Sequence, residues 1–178
     1  MSDLLSQRPT RIVVDLEAII HNLQAITAHV GVPVMAIVKA NAYGHGLVPV
    51  ALHLQARGVQ QLGVAFVEEG ITLRNAGVTV PILVLGGIYG PQVTQFITHD
   101  LEITVSSMDK LRKVEAAAQA LNRKAVIHLK IDTGMERIGV HSYSCRPFIE
   151  AALASRWCEL KGIYSHLACA DNPASPMT

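Results

Sequence analysis

The chain alternates short apolar runs with longer amphipathic stretches. After the β-branched run Arg11–Asp15, Leu16, Ile19, Ile20, Leu23, Ile26 and Val30 recur at helical spacing, with Asp15 placed to cap the helix and Gly31 and Pro33 to stop it. A unit then repeats, consisting of an apolar strand, a turn and an amphipathic helix. The pattern predicts strands at Val34–Val38, Leu62–Phe66, Pro81–Leu85, Leu101–Val105, Val126–Ile131 and Leu160–Tyr164. It predicts helices at Val48–Arg57, Val67–Ala76, Pro91–Thr98, Met108–Leu121 and Cys145–Ser155. The Met108–Leu121 helix is the best specified: Ser106 and Asp109 have capping-box spacing, and Leu111, Val114, Ala118 and Leu121 form one stripe. Gly77 sits where a left-handed C-terminal cap would close the second helix of the repeat.

Strands apolar on both faces and separated by single helices imply a parallel sheet covered by helices. About six units of ~25 residues fit a (β/α)₈ barrel cut short, and they equally fit an open doubly wound sheet. The usual marker of the open sheet is missing, because Gly44-His45-Gly46-Leu47-Val48-Pro49 has proline where GxGxxG needs its third glycine.

Composition narrows the function. Half of the 178 residues are hydrophobic and 16% are charged, so a substantial core is expected. A net charge of +1 gives no field favouring nucleic acid or a membrane surface, and aromatic residues are too few for base-stacking platforms. Cys145, Cys158 and Cys169 form no CxxC pair, and the histidines show no HExxH spacing, so neither a disulfide framework nor a metal is assigned. The opening MSDLLSQRPT lacks an apolar h-region, and no apolar run approaches the ~18 residues of a membrane span. A cytoplasmic protein is expected.

Three segments carry candidate chemistry. In Val34–Gly46, reading VMAIVKANAYGHG, Lys39 ends a buried-looking strand. In α/β proteins ligands bind at that end, and a partly desolvated lysine can lose its proton and form a Schiff base with a carbonyl. A strand-end lysine can also simply snorkel to solvent, but Tyr43 adds a phenolic donor, and Gly44 and Gly46 allow close backbone approach. Together they suit an aldehyde cofactor bearing a phosphate. In the second segment, Lys130 to Arg137, alternation puts His128 and Lys130 on one strand face, where two polar side chains need partners or line a site. Asp132-Thr133-Gly134 is also an ordinary turn signal, and Arg137 beyond it can reach a carboxylate or phenolate. The third segment is GIYSHLACAD, whose His166 shares a sheet end with Lys39 and Arg137. Glu68 and Glu69 most simply complement a helix dipole.

AIVKANAYGHG resembles the cofactor motif of alanine racemases, the fold-type III pyridoxal-phosphate enzymes. VDLEAIIHNL, GVAFVEEGITLRNAG, HLKIDTGMERIG and GIYSHLACAD resemble further segments of that family in order, so the likeness runs from about Arg11 to Asp171. It implies an α/β fold, an incomplete (β/α)₈ TIM-type barrel in which residues 1–178 are the N-terminal part, with the family's C-terminal β domain absent. By the resemblance Lys39 binds pyridoxal phosphate covalently and acts as acid or base on the D-alanine face. Tyr43 holds the phosphate, and Arg137 contacts the phenolic oxygen and the substrate carboxylate. Lys130 matches a position often carbamylated, whose anion orients that arginine, and His166 packs beside the pyridine ring.

The implied activity interconverts L- and D-alanine in a homodimer, supplying D-alanine for cell-wall peptidoglycan. Family members continue past PASPMT, which makes an N-terminal fragment, inactive alone, the expectation. The alternatives are a non-catalytic pyridoxal-phosphate-binding barrel and a racemase of serine or other amino acids.

Overall fold

The computed structural model describes residues 10–175 and 177; the segment 1–9 read above for a leader, and residues 176 and 178 of PASPMT, lie outside the described residues. Helix α1 (Leu16–Val30) begins where one Asp15 oxygen accepts from the backbone N–H groups of Glu17 (2.9 Å) and Ala18 (3.2 Å). It ends at Gly31, whose φ of +68° a side chain would resist. Its apolar stripe puts Ile20 in the core, with Leu16, Ile19 and Leu23 packed beside it.

Among the described residues seven parallel strands follow: β1 (Ala36–Ile37), β2 (Leu62–Val64), β3 (Ile82–Val84), β4 (Glu102–Val105), β5 (Ala125–Asp132), β6 (Val140–His141) and β7 (Cys158–Tyr164). Between them run α2 (Leu47–Ala56), α3 (Val67–Asn75), α4 (Val93–Thr98), α5 (Met108–Ala120) and α6 (Arg146–Ala154). The strands order β1-β2-β3-β4-β5, with β7 and the short β6 both paired to β5. Apart from β7, which passes the two-residue β6 to pair with β5, neighbours in the sheet are neighbours in the chain, with no reversal. A doubly wound sheet reverses its order at a switch point, so this sheet is the wall of a (β/α)₈-type barrel made of about six units.

The core lies between sheet and helices. Leu62, Ile82, Ile103 and Ile127 of four adjacent strands are fully buried, and Phe96 of α4 and Phe148 of α6 pack from the helical layer. Arg74 ties the two loops that precede β3 and β4 together by donating to the carbonyls of Val78, Val80, His99 and Asp100 at 2.8–3.2 Å. No helix among the described residues is long and apolar enough to cross a membrane.

Most differences from the predicted elements lie at their ends. The cap of α5 is Ser107 rather than Ser106; Ser107 has the extended backbone a cap needs and accepts from Lys110 N–H at 3.2 Å. The predicted Pro91–Thr98 helix opens as a 3₁₀ turn at Gly90–Gln92 before α4. β6 was not foreseen, being two half-buried residues without an apolar run.

Candidate active site

β1 delivers Lys39, and the backbone then turns left-handed. Ala40, Asn41, Ala42 and Tyr43 have φ of 52°, 56°, 50° and 53°. Four L-residues in that region cost roughly 4–8 kcal/mol, at about 1–2 each. Local hydrogen bonds offset the strain: Ala42 N–H to Val38 O (2.8 Å), Gly44 N–H to Asn41 O (3.0 Å) and Leu47 N–H to the Asn41 side-chain oxygen (2.8 Å). A longer reach comes from Glu69 on α3, which accepts from Ala40 N–H at 2.6 Å. Gly44 and Gly46, at φ of +89° and +99°, return the chain to α2.

Above the C-terminal ends of the strands is a cavity of about 700 Å³. Lys39, Tyr43, His128, Lys130, Arg137 and His166, all singled out in the sequence, line it, and so does Tyr164. Met35, Ile37, Ala65, Leu83 and Leu85 form an apolar wall, and Gly86 keeps it close-set: a Cβ there would come within 2.3 Å of the Ala65 carbonyl. No carboxylate is among the described residues that line it.

Lys39 Nζ lies 5.9 Å from the centre of the Tyr43 ring, and Lys130 Nζ lies 5.5 Å from that of Tyr164. Lys130 is only 4% exposed, and its ammonium has one hydrogen bond among the described residues, to Ile131 O at 3.2 Å. Burial lowers its pKa, the nearby Arg137 charge adds to the effect, and Asp132 opposes it. The Asp132 carboxylate is itself committed to the turn, one oxygen accepting from Gly134 N–H (2.7 Å) and the other from Arg137 N–H (3.2 Å). The Gly134 contact foremost, against some desolvation, holds its carboxyl below the ordinary value. The Asp-Thr-Gly turn thus fixes the backbone from which Arg137 departs. Asp132, Glu136 and His141 bring ligand atoms within 4.8 Å of one another, but this turn already occupies both Asp132 oxygens, so the cluster reads as a clasp.

A polar pair lies deeper. Glu102 of β4 accepts from His128 Nε2 at 2.7 Å and from the Gln61 side-chain amide at 2.5 Å. The β5–β7 register shift after Ile127 sets Gly162 beside His128, where a Cβ would meet the ring nitrogen at 2.8 Å. Tyr164 anchors its hydroxyl on Thr104 at 2.7 Å, and burial raises its pKa despite that bond. Glu102, Gln61, Thr104 and Tyr164 carried no sequence signal, because each is defined by a partner on another strand.

Burial pushes the Glu102 carboxyl up, but the bond and charge of His128, with Gln61 and Lys161, outweigh it and hold the carboxyl below its usual value. A depressed carboxylate stabilises the fold above the ordinary carboxylate range, and that contribution is lost as pH falls through the folded pKa. Glu102→Gln is therefore expected to flatten the fall of the unfolding midpoint between pH 7 and pH 3. An unchanged slope in a thermal melt series would show that the pair contributes nothing.

A family model described as the N-terminal domain of alanine racemase matches residues 14–178. The alanine racemase of Geobacter sulfurreducens is 40% identical over 169 residues, which cover 94% of this chain and 44% of that protein. The alanine racemase structure from D-cycloserine-producing Streptomyces lavendulae superposes with a TM-score of 0.88 at 38% identity, covering 96% of this chain and 46% of that one. A histidine racemase from Leuconostoc mesenteroides superposes with a TM-score of 0.85 at 27% identity, covering 96% and 47%. The chain spans less than half the length of each of these three relatives.

Proposed function

The chain belongs to the alanine racemase N-terminal domain family, and from that premise we propose that residues 1–178 are the N-terminal part of a pyridoxal-phosphate-binding barrel that interconverts L- and D-alanine. The observation that carries this reading is the make-up of the cavity. Lys39, Lys130, Arg137 and two histidines line it beside an apolar wall, with no carboxylate among the described lining residues. His128 is already paired with Glu102 and Asp132 is committed to its turn, so the converging cations of Lys39, Lys130 and Arg137 call for an anionic ligand. A flat aromatic aldehyde phosphate, joined by an amino acid's carboxylate, supplies both the charge and the apolar face.

When bound, pyridoxal phosphate supplies an electron sink that makes the alanine Cα–H acidic enough to exchange. Lys39 Nζ would hold the cofactor and, once the amino group of the substrate has replaced it there, would be free to take and return the α-proton on the D-alanine face. Tyr43 donates its hydroxyl to the phosphate. Arg137, its backbone fixed by Asp132, binds the substrate carboxylate and the cofactor's phenolic oxygen, and His166 lies beside the ring. Lys130, whose pKa burial lowers, is the amine that CO₂ can carbamylate, and the resulting anion would face Arg137. Racemisation needs an acid–base group on each face; Lys39 is one, and a partner subunit of a homodimer supplies the other. In this reading the enzyme works in the cytoplasm and provides D-alanine for peptidoglycan. The likeness to a histidine racemase supports a second reading of the substrate, with side chains larger than methyl accepted.

The test is borohydride trapping. Protein incubated with pyridoxal phosphate, reduced and digested should carry the pyridoxyl label on the Lys39 peptide. Label absent from Lys39, or spread evenly over exposed lysines such as Lys113, would overturn the cofactor assignment. Deuterium exchange at Cα of D-alanine, compared with D-serine and D-histidine, ranks the substrates.

A further inference from the structure

Glu69 lies on α3, 29 residues from the turn that follows Lys39, yet its carboxylate reaches that turn. One oxygen accepts from Ala40 N–H at 2.6 Å, and the other accepts from Ala65 N–H at 2.7 Å and Phe66 N–H at 3.1 Å. Phe66 is the N-cap of α3 and has no side-chain oxygen, so Glu69 supplies only the reciprocal half of a capping box. Its second oxygen is thereby locked to the end of β2, and its first is aimed at β1. A single carboxylate spans the two strand ends.

The bond to Ala40 is specific in its consequence. Ala40 N–H belongs to the peptide plane that leaves Lys39, so holding it fixes the Lys39 ψ angle and with it the direction of the Lys39 Cα–Cβ bond. The other hydrogen bonds of the left-handed turn are made within Val38–Leu47 and move with it. Among the described residues, Glu69 is the one side chain outside that segment that bonds the turn's backbone. Glu68, its neighbour in the same helical turn, goes elsewhere, accepting from the Gln92 amide at 2.9 Å.

We propose that Glu69 is a positioning residue for Lys39, clamping the left-handed turn so that the lysine amine points into the cavity. This rests on the role of Lys39 proposed above, but the clamp itself is testable without cofactor. Glu69→Gln keeps the size of the side chain and replaces one accepting oxygen with a donor that meets an N–H group. Glu68→Gln removes the same charge from the same helix terminus and leaves the clamp intact, so it controls for the dipole.

Two readouts separate the possibilities. Amide hydrogen exchange at Ala40, followed by NMR on protein without cofactor, should speed up about 10- to 100-fold in Glu69→Gln, the loss expected for a hydrogen bond to a charged acceptor. In Glu68→Gln it should stay within about twofold of wild type. The rate of borohydride-trappable capture of pyridoxal phosphate at Lys39 should fall by at least about tenfold in Glu69→Gln alone, measured at a temperature where both variants are fully folded. Ala40 exchange at the wild-type rate in Glu69→Gln overturns the proposal whether or not cofactor is captured. Equal loss of capture in both variants also overturns it, by assigning the effect to helix charge. Wild-type protein that captures no cofactor while Ala40 exchange still responds to Glu69→Gln upholds the clamp and removes the cofactor reading.

Discussion

Lys39→Ala is expected to slow exchange of the D-alanine Cα–H for deuterium by at least about 10³-fold in protein supplied with pyridoxal phosphate, the range assigned to a positioned acid–base group. Exchange is the appropriate measurement because it needs a proton taken and returned on one face only, and does not depend on the group serving the other. The change should leave the fold nearly untouched. Lys39 is half-buried, and its ammonium makes no hydrogen bond among the described residues, only the approach to the Tyr43 ring at 5.9 Å. A melting midpoint close to wild type should accompany the lost exchange. Lys39→Arg sharpens the test, because arginine keeps the positive charge but stays protonated and cannot accept the α-proton. It should be as inactive as alanine. Lys39→Ala exchanging within tenfold of wild type would remove Lys39 from the chemistry.

Much of this site was legible because its key residues break the local pattern. Lys39 ends an apolar run, where an ammonium has to leave the strand, and Tyr43, Gly44 and Gly46 beside it pointed to a site rather than to open solvent; it lines the cavity. His128 and Lys130 stood out by alternation, and both line the cavity. The strand–helix pattern alone left barrel and open sheet undecided, since every local unit is common to both folds. The resemblance carried by AIVKANAYGHG and HLKIDTGMERIG chose the barrel, and the strand order agrees. The left-handed turn was hidden for a related reason. Alanine and tyrosine have no preference for φ near +50°, and part of what holds them there comes from Glu69 in another unit. Glu69 itself read as a helix-terminus charge, which it is; its second role depends on β1 and β2 pairing in parallel with Ile37 opposite Gly63. The Glu102–His128 pair likewise needs the β4–β5 register, in which Thr104 opposes His128 and Glu102 falls two residues below on the same face.

Lys130 is the residue where stability and function should part most clearly. Its ammonium is buried, bonded only to one carbonyl among the described residues, and flanked by the Arg137 charge, while the nearest carboxylate, Asp132, is taken up by the turn. An ammonium held so poorly loses more hydration than its partners return. Lys130→Met keeps most of the side chain's length and removes the charge, and in CO₂-depleted buffer it should stabilise the fold by roughly 1–2 kcal/mol. For a chain of this size that is a rise in melting midpoint of about 2–8 °C. The same variant should lose about 10²-fold in D-alanine exchange if Arg137 depends on an anion at position 130 to orient it, a loss typical of removing an orienting partner. Bicarbonate separates the two effects. If Lys130 is carbamylated as proposed, its amine becomes an anion facing Arg137, so added bicarbonate should raise the wild-type midpoint and narrow the gap to Lys130→Met, which has no amine to react. A lower midpoint for Lys130→Met in CO₂-depleted buffer would show that the ammonium is well satisfied where it lies. A bicarbonate response equal in both proteins would remove carbamylation of Lys130 as its cause.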